Sequence, residues 1–224
     1  MPSVRGTVLL RAVADTPPRL GSAAQIRLRN EALELLRSHP VLEPRYSFRF
    51  VSIDHTNGGR FRLGGETLEA PWLLPERGTL TAIACCIATL GDGLESRVRM
   101  LFGEHRAALA LVLDTVGNEL LFALGRVAQD RMQRLATRQG LSMAGELRSG
   151  DPGLALSSQR TVLSLAAAES IGVTLSSGCV MWPLKSTSMV LGVGLALPKV
   201  HWSRCDHCPT RARCRVAQSA DALS

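Results

Sequence analysis

Three cysteines near the C-terminus have the spacing of metal ligands. Cys205, Cys208 and Cys214 form C-x2-C-x5-C, and His201 lies four residues upstream of the first sulfur. A C-x2-C turn can place two thiolates on one ion, and a third ligand a few residues on can close the site. Three thiolates and one imidazole suit zinc or an iron–sulfur cluster, and the spacing admits both. The bland alternative is a reduced, metal-free tail. Its position favours metal, because no large core is available there to bury three thiols. Arg204, Arg211, Arg213 and Arg215 surround the cluster. They would offset the negative charge of an iron–sulfur cluster and raise its potential, or aid docking to an acidic redox partner. His201, His207 and Cys179 are the candidates for a fourth ligand. Cys85 and Cys86 sit in an apolar strand and read as small hydrophobes.

Other chemistry is thinner. Gly91-Asp92-Gly93 could present backbone N–H groups to an anion between a strand and a helix. No complete G-x-G-x-x-G and no Walker lysine accompanies it, so a plain tight turn is the simpler reading. Gly192-Val193-Gly194 is followed by Pro198 rather than by a helix, which argues against an ordinary nucleotide-binding loop. No G-x-S-x-G elbow appears. His39, His55 and His105 read as surface or turn residues, and no spaced carboxylate pair stands out for acid–base work.

These residues need elements to position them. Apolar residues at helical spacing predict a helix over Gln25–Arg37, stopped by His39-Pro40. Val8, Leu9 and Leu10 read as a strand. Tyr46, Phe48 and Phe50 alternate with polar residues, Asn57-Gly58-Gly59 supplies a turn, and Phe61 and Leu63 resume the alternation, so the segment reads as a hairpin. Thr79–Thr89 reads as an apolar strand, with a helix after Gly93 and a long helix over Arg106–Arg138 stopped by Gly140. Arg148–Ala155 is a loop. Ser157 is a candidate cap for a helix running to Ile171, closed by Gly172. Val173–Leu175 and Thr187–Leu197 read as strands joined by a turn at Trp182-Pro183. No repeat, linker or low-complexity tract interrupts the chain, so residues 1–224 are expected to form a single α+β domain with a cysteine-rich tail over residues 200–217.

Composition narrows the class. The chain has 224 residues, 46% of them hydrophobic and 20% charged, and a net charge of +7. That is long enough to build a core without disulfides. The six cysteines are grouped as in a reducing compartment, not as in a secreted framework. The basic charge favours acidic partners, yet the arginines are scattered and only 4% of residues are aromatic, which argues against nucleic acid. The segment Leu109–Leu124 is interrupted by Asp114, Gly117, Asn118 and Glu119, so no membrane span is expected. No secretory leader is evident. A cytoplasmic location follows as the expectation.

The segment Leu175–Ser188, LSSGCVMWPLKSTS, resembles the LTES-x-x-MWP-x-x-S-x-S segment of the activation domain of cobalamin-dependent methionine synthase and its stand-alone relatives. Arg148 followed by Pro152-Gly153 resembles that family's Arg-x-x-Pro-Gly-Tyr loop, and Leu156-Ser157-Ser158-Gln159 resembles the start of the helix after it. Ala88-Thr89-Leu90-Gly91 and Leu113-Asp114-x-x-Gly117 are similar to elements of the small stand-alone members. The likeness spans about residues 60–217, cysteine-rich tail included.

The resemblance implies an α+β fold, with a twisted antiparallel sheet flanked by helices. It implies a domain that binds S-adenosylmethionine and docks on a cobalamin domain. There an electron from a reductase, flavodoxin or ferredoxin reduces an oxidised corrinoid, and the methyl group of S-adenosylmethionine traps it, in the service of methionine biosynthesis. The partner would be a corrinoid-binding protein or methyltransferase. By the same resemblance Arg148 would pair with the ligand's carboxylate and Gly153, beside Pro152, would let the loop approach it. Ser177, Cys179, Met181, Trp182 and Pro183 would shape the adjacent wall, with Lys185 and Ser186 nearby. The plain alternative for Trp182-Pro183 is a packed turn.

The sequence also departs from the pattern. Leu154 stands where the family has tyrosine, Arg148 and Gly153 are one residue further apart, Ser177 replaces a glutamate, and Cys179 replaces an aromatic residue. The acidic residue expected on the long helix falls at Phe122 or Ala123, with Glu119 one turn away. Two other classes therefore stand beside the first: an iron–sulfur electron-transfer or assembly accessory without S-adenosylmethionine, and a basic zinc-tail module for nucleic acid.

Overall fold

The computed structural model describes residues 4–15 and 22–198. The tail with His201, Cys205, Cys208 and Cys214 lies outside the described residues. Three helices at the start and middle of the chain, α1 (Gly6–Ala14), α2 (Ala23–Ser38) and α3 (Gly93–Gly103), gather around a long helix, α4 (Ala107–Arg138). Helix α2 begins with a capping box: Gln25 N–H donates to Ser22 Oγ, and Ser22 N–H donates to Gln25 Oε1. Two of its first-turn donors are thereby satisfied. The expected strand at Val8–Leu10 is instead the middle of α1. Leu9, Leu10 and Val13 are buried while Val8 is exposed, a spacing that suits a helix lying on its neighbours better than a strand.

The main sheet is antiparallel throughout, in the order β1 (Arg45–Ser52), β5 (Thr79–Thr89), β9 (Ser186–Leu195), β6 (Ser142–Leu147). A small second sheet is formed by β2 (His55–Asn57), β3 (Arg60–Leu63) and β4 (Glu66–Glu69), and a two-stranded ribbon by β7 (Thr174–Leu175) and β8 (Met181–Trp182). The Gly58-Gly59 turn does make a hairpin, with both φ values positive (57° and 86°) as its two-residue turn requires. It joins β2 to β3. Strand β1 runs past it and pairs with β5, which corrects the expected partnership of the Tyr46 and Phe61 segments.

The sheet separates two cores. On one face Ala84, Cys86, Ala88, Met189, Leu191 and Val193 meet Leu113, Leu120 and Leu124 of α4. On the other, Ile83, Cys85, Ile87, Leu147 and Val190 meet Val162 and Leu163 of α5 (Gln159–Leu165) together with Phe61 and Leu68 of the small sheet. Helix α4 has the length and apolar content of a membrane span. Its apolar positions, Leu109, Leu113, Val116, Leu120, Leu124 and Met132 among them, are buried against the sheet and α2, as in the core helix of a globular fold.

The helix expected from Ser157 to Ile171 is broken. A 3-10 turn over Leu156–Ser158 leads into α5, and Ala167, in the left-handed region at φ 54°, separates α5 from a second 3-10 turn at Ala168–Ile171. Ser157 is exposed and does not cap it. Gly172 at φ 76° closes the segment as expected. The turn at Trp182-Pro183, a cis peptide, follows β8 and leads into β9, so the C-terminal strands are three rather than two.

Candidate functional site

Strand β6 is the edge strand beside β9, and its alternation puts Glu146 and Arg148 on the α4 face while Leu147 enters the opposite core. Arg148 is the best-connected cation of the region. Its Nε donates to Glu146 Oε1 at 3.0 Å, its Nη2 lies 2.9 Å from the same oxygen, and its Nη1 donates to Thr187 Oγ1 at 3.0 Å. The guanidinium lies 5.5 Å from the ring centroid of Phe122 on α4, a cation–π distance. Glu146 is steadied in turn by Gln129 of α4, whose Nε2 donates to Oε2 at 2.9 Å.

The loop after Arg148 is tied to itself. Asp151 Oδ2 accepts from the Arg148 N–H at 2.8 Å, Asp151 N–H donates back to the Arg148 carbonyl, and Gly150 N–H donates to the Leu154 carbonyl. Pro152 and Gly153 form its outer turn. Gly153 has φ 84°, and a Cβ there would lie 2.6 Å from Cγ of Trp72. The close neighbour that demands glycine is therefore an indole of this chain. Leu154, in the place of the family tyrosine, is buried in the second core.

Lys185 belongs to the same side of the sheet. Its Nζ lies 2.7 Å from Asp114 Oδ1 and donates to Asn118 Oδ1 at 2.8 Å, its backbone N–H donates to Glu95 Oε1, and its carbonyl accepts from Leu90 N–H. Asp114, Asn118 and Phe122 stand at four-residue intervals on α4, which sets them along one stripe of the helix. Lys185 and Arg148 thus bracket a single line of α4 residues.

The remaining site residues make no hydrogen bond to the side chains of these two cations among the described residues. Ser177 is at the exposed tip of the β7–β8 turn. Cys179 stands at φ 60°, and its carbonyl accepts from Gln159 Nε2 at 2.9 Å on the α5 face of the sheet. Met181 pairs with Leu175 in the ribbon. Ser186 Oγ lies 2.7 Å from the Pro183 carbonyl and 2.9 Å from Thr89 Oγ1. The structure therefore brings Arg148 and Lys185 to α4, and sets Ser177 and Cys179 on the turn of the β7–β8 ribbon, without a hydrogen bond between the two groups among the described residues.

Glu119 faces α2: its Oε2 is 2.7 Å from Arg29 Nη2. Burial raises its pKa and Arg29 opposes the shift. The residue over which Arg148 lies is Phe122, which offers no charge. Glu146, Gln129 and Thr187 escaped the sequence reading because β6 did. Had Ser142–Leu147 been read as a strand, the i, i+2 spacing would have put Glu146 beside Arg148.

Burial pushes the Cys85 and Cys86 thiols up to about 12, with Cys85 and Glu146 adding to the shift at Cys86 and Arg148 opposing it. Both stay protonated at neutral pH and serve as packing, as expected. Cys179 is half-buried, and no group of three metal-ligating side chains occurs among the described residues. The Gly91-Asp92-Gly93 turn is closed by protein: a Cβ on Gly93 would lie 2.3 Å from the Val41 carbonyl oxygen.

Large apolar side chains remain exposed around the Arg148 loop and the ribbon: Trp72, Phe122, Leu156, Val180, Trp182 and Leu184. No family model matches the chain, and no curated protein matches it. Among solved structures, the crystal structure of the MetH reactivation domain bound to AdoHcy matches with a TM-score of 0.61 and 13% identity, over 93% of this chain and 79% of that one. The fold is that of the MetH reactivation domain. The expected antiparallel α+β architecture, with the sheet packed on the long helix, stands. At 13% identity the likeness is one of fold, and the roles of individual residues rest on the geometry above.

Proposed function

We propose that this chain is an accessory for reductive reactivation of a corrinoid methyltransferase of the methionine synthase type, acting with S-adenosylmethionine. The observation that supports the reading most is the fold likeness over 93% of the chain to a reactivation domain that binds AdoHcy. Arg148 beside Phe122, with Trp72 and Leu156 around the loop, offers one cation among apolar walls. That chemistry fits the carboxylate end and the thioether and base of such a ligand. The bound ligand would supply the methyl group that traps reduced cobalt on the partner. This chain's part is to hold and orient: Arg148 fixes the carboxylate, the Trp182–Leu184 turn clamped by Lys185 stays in register with α4, and the exposed apolar residues exclude water at the partner's face. Residues 1–224 would work as one domain carrying the tail 200–217, with an electron delivered by a reductase, flavodoxin or ferredoxin.

Mixed with an inactive cob(II)alamin methyltransferase, a reductant and S-adenosylmethionine, the protein is expected to restore methylated cobalt. Failure with every corrinoid protein encoded by the same genome would overturn the proposal. Arg148→Ala should weaken ligand binding by roughly 1.5–3 kcal/mol, the scale of a charged hydrogen bond.

A second reading is favoured by one observation, the engagement of all three Arg148 side-chain nitrogens by Glu146 and Thr187: an iron–sulfur electron-transfer accessory that keeps the fold without the ligand. In either reading Cys205, Cys208 and Cys214 hold iron and sulfide, with His201 or Cys179 closing the site. Anaerobic purification followed by iron, sulfide and zinc analysis should find iron and sulfide, lost on replacing any of the three cysteines by serine. Zinc without iron would remove the electron-transfer reading, because zinc has no redox chemistry.

A further inference from the structure

We infer that Glu146 is an internal carboxylate ligand of Arg148 and sets the specificity of the site, by competing with the carboxylate of an AdoHcy-class ligand for the same guanidinium. The inference rests on the reading of Arg148 as the ligand-binding cation. It goes beyond it by assigning a role to a residue that the resemblance leaves without one.

The geometry is that of a filled anion site. Oε1 of Glu146 takes both the Nε and the Nη2 side of Arg148, at 3.0 and 2.9 Å. This is the edge of a guanidinium that carboxylates occupy most readily. Thr187 takes Nη1, and Phe122 covers one flat face. Glu146 is not a loose surface partner that happens to fall nearby. It sits two residues back, on β6, which fixes its side, and Gln129 of α4 holds its second oxygen. The side chains of Arg148 and Glu146 are 17% and 26% exposed, so water screens the pair less than it screens a surface pair.

A ligand carboxylate arriving at Arg148 must either turn Glu146 away, breaking its bonds to Arg148 and Gln129, or stand beside it with two negative charges around one guanidinium. Both routes weaken binding of an amino-acid end. Neither touches a nucleoside thioether that has no carboxylate, because such a ligand makes no claim on Arg148. The site as built therefore still takes the amino-acid end through Arg148, but more weakly than an uncontested guanidinium would, and leaves recognition of the nucleoside end unaffected.

The experiment is calorimetry with two probes, AdoHcy and 5′-methylthioadenosine, on the full-length protein and its Glu146→Gln variant. The variant keeps the shape of the side chain and removes its charge. AdoHcy should bind the variant about tenfold or more tightly than the parent, and methylthioadenosine should bind both alike. Gln129→Ala, which frees Glu146 without altering the pair itself, should move AdoHcy affinity in the same direction by a smaller factor. It carries the test if Glu146→Gln fails to fold by its melting curve. If AdoHcy binds the parent and neither variant binds it more tightly, the inference is wrong and the proposed function stands. Equal gains for both probes would also sink it, since they would show a general loosening of the site. If no probe binds the parent or either variant, the inference and the ligand-binding part of the proposed function fall together.

Discussion

Gly194→Ala is expected to lower the free energy of unfolding by about 3 kcal/mol, at the top of the range for forced overpacking, read as a shift of the urea midpoint. A Cβ at this position would lie 2.0 Å from the Thr79 carbonyl oxygen and 2.9 Å from the Leu80 Cα. Both are backbone atoms of β5, the strand paired with β9, and the register shifts between Leu80 and Ala82 just there. Flexible side chains could yield to a new methyl group, but the backbone of β5 cannot do so without breaking its ladder to β9. Gly103→Ala is the control. It lies in α3 with no heavy atom within 4 Å of its Cβ and should change stability by less than about 1 kcal/mol, the scale of helix propensity. Similar losses at the two positions would refute the packing argument.

The same glycines show what the sequence did and did not disclose. Gly192-Val193-Gly194 could be rejected as a nucleotide loop because no helix follows. Its actual task, letting β5 and β6 lie close to β9, depends on contacts more than 100 residues apart in places and has no local signature. Long, strongly periodic elements were legible: β5 matched its predicted limits, and α2 and α4 lay within two residues of theirs. Short elements were not. Strand β6 has the sequence SMAGEL with a glycine at φ 65°, a poor strand by propensity, and it exists because β9 offers it an edge. Helix α1 read as a strand because three apolar residues in a row fit either period.

The candidate site was legible to the extent that motifs name residues. Arg148 and Lys185 do meet a common stripe of α4. The motif gave no hint of what already occupies them. Glu146, Gln129 and Thr187 come from three different elements, and only the pairing of β6 with β9 and the passage of α4 across both bring them to one guanidinium. Resemblance likewise placed Ser177 and Cys179 in the ligand wall; the structure sets Ser177 at the exposed tip of the β7–β8 turn and ties the Cys179 carbonyl to Gln159.

Asp114→Ala is expected to cost about 2 kcal/mol of stability and Lys185→Met less than about 1, and the asymmetry is the content of the prediction. The pair is unequal: the Lys185 side chain is 10% exposed and that of Asp114 is 46% exposed. Removing the carboxylate leaves an ammonium in a nearly buried position with Asn118 as its remaining side-chain partner. Breaking a fully buried pair in this way costs roughly 3–5 kcal/mol, and the partial exposure of Asp114 reduces it. Removing the ammonium leaves a carboxylate that can turn to water. Methionine also refills the space against Gly117, whose Cβ position lies 3.3 Å from Lys185 Cε. The backbone bonds of residue 185 to Glu95 and Leu90 survive in both variants, so the difference isolates the side-chain charge. Urea unfolding of the two variants at neutral pH measures it directly. A larger loss for Lys185→Met than for Asp114→Ala would mean that the ion pair itself, and not the stranded ammonium, anchors the Trp182–Leu184 turn to α4.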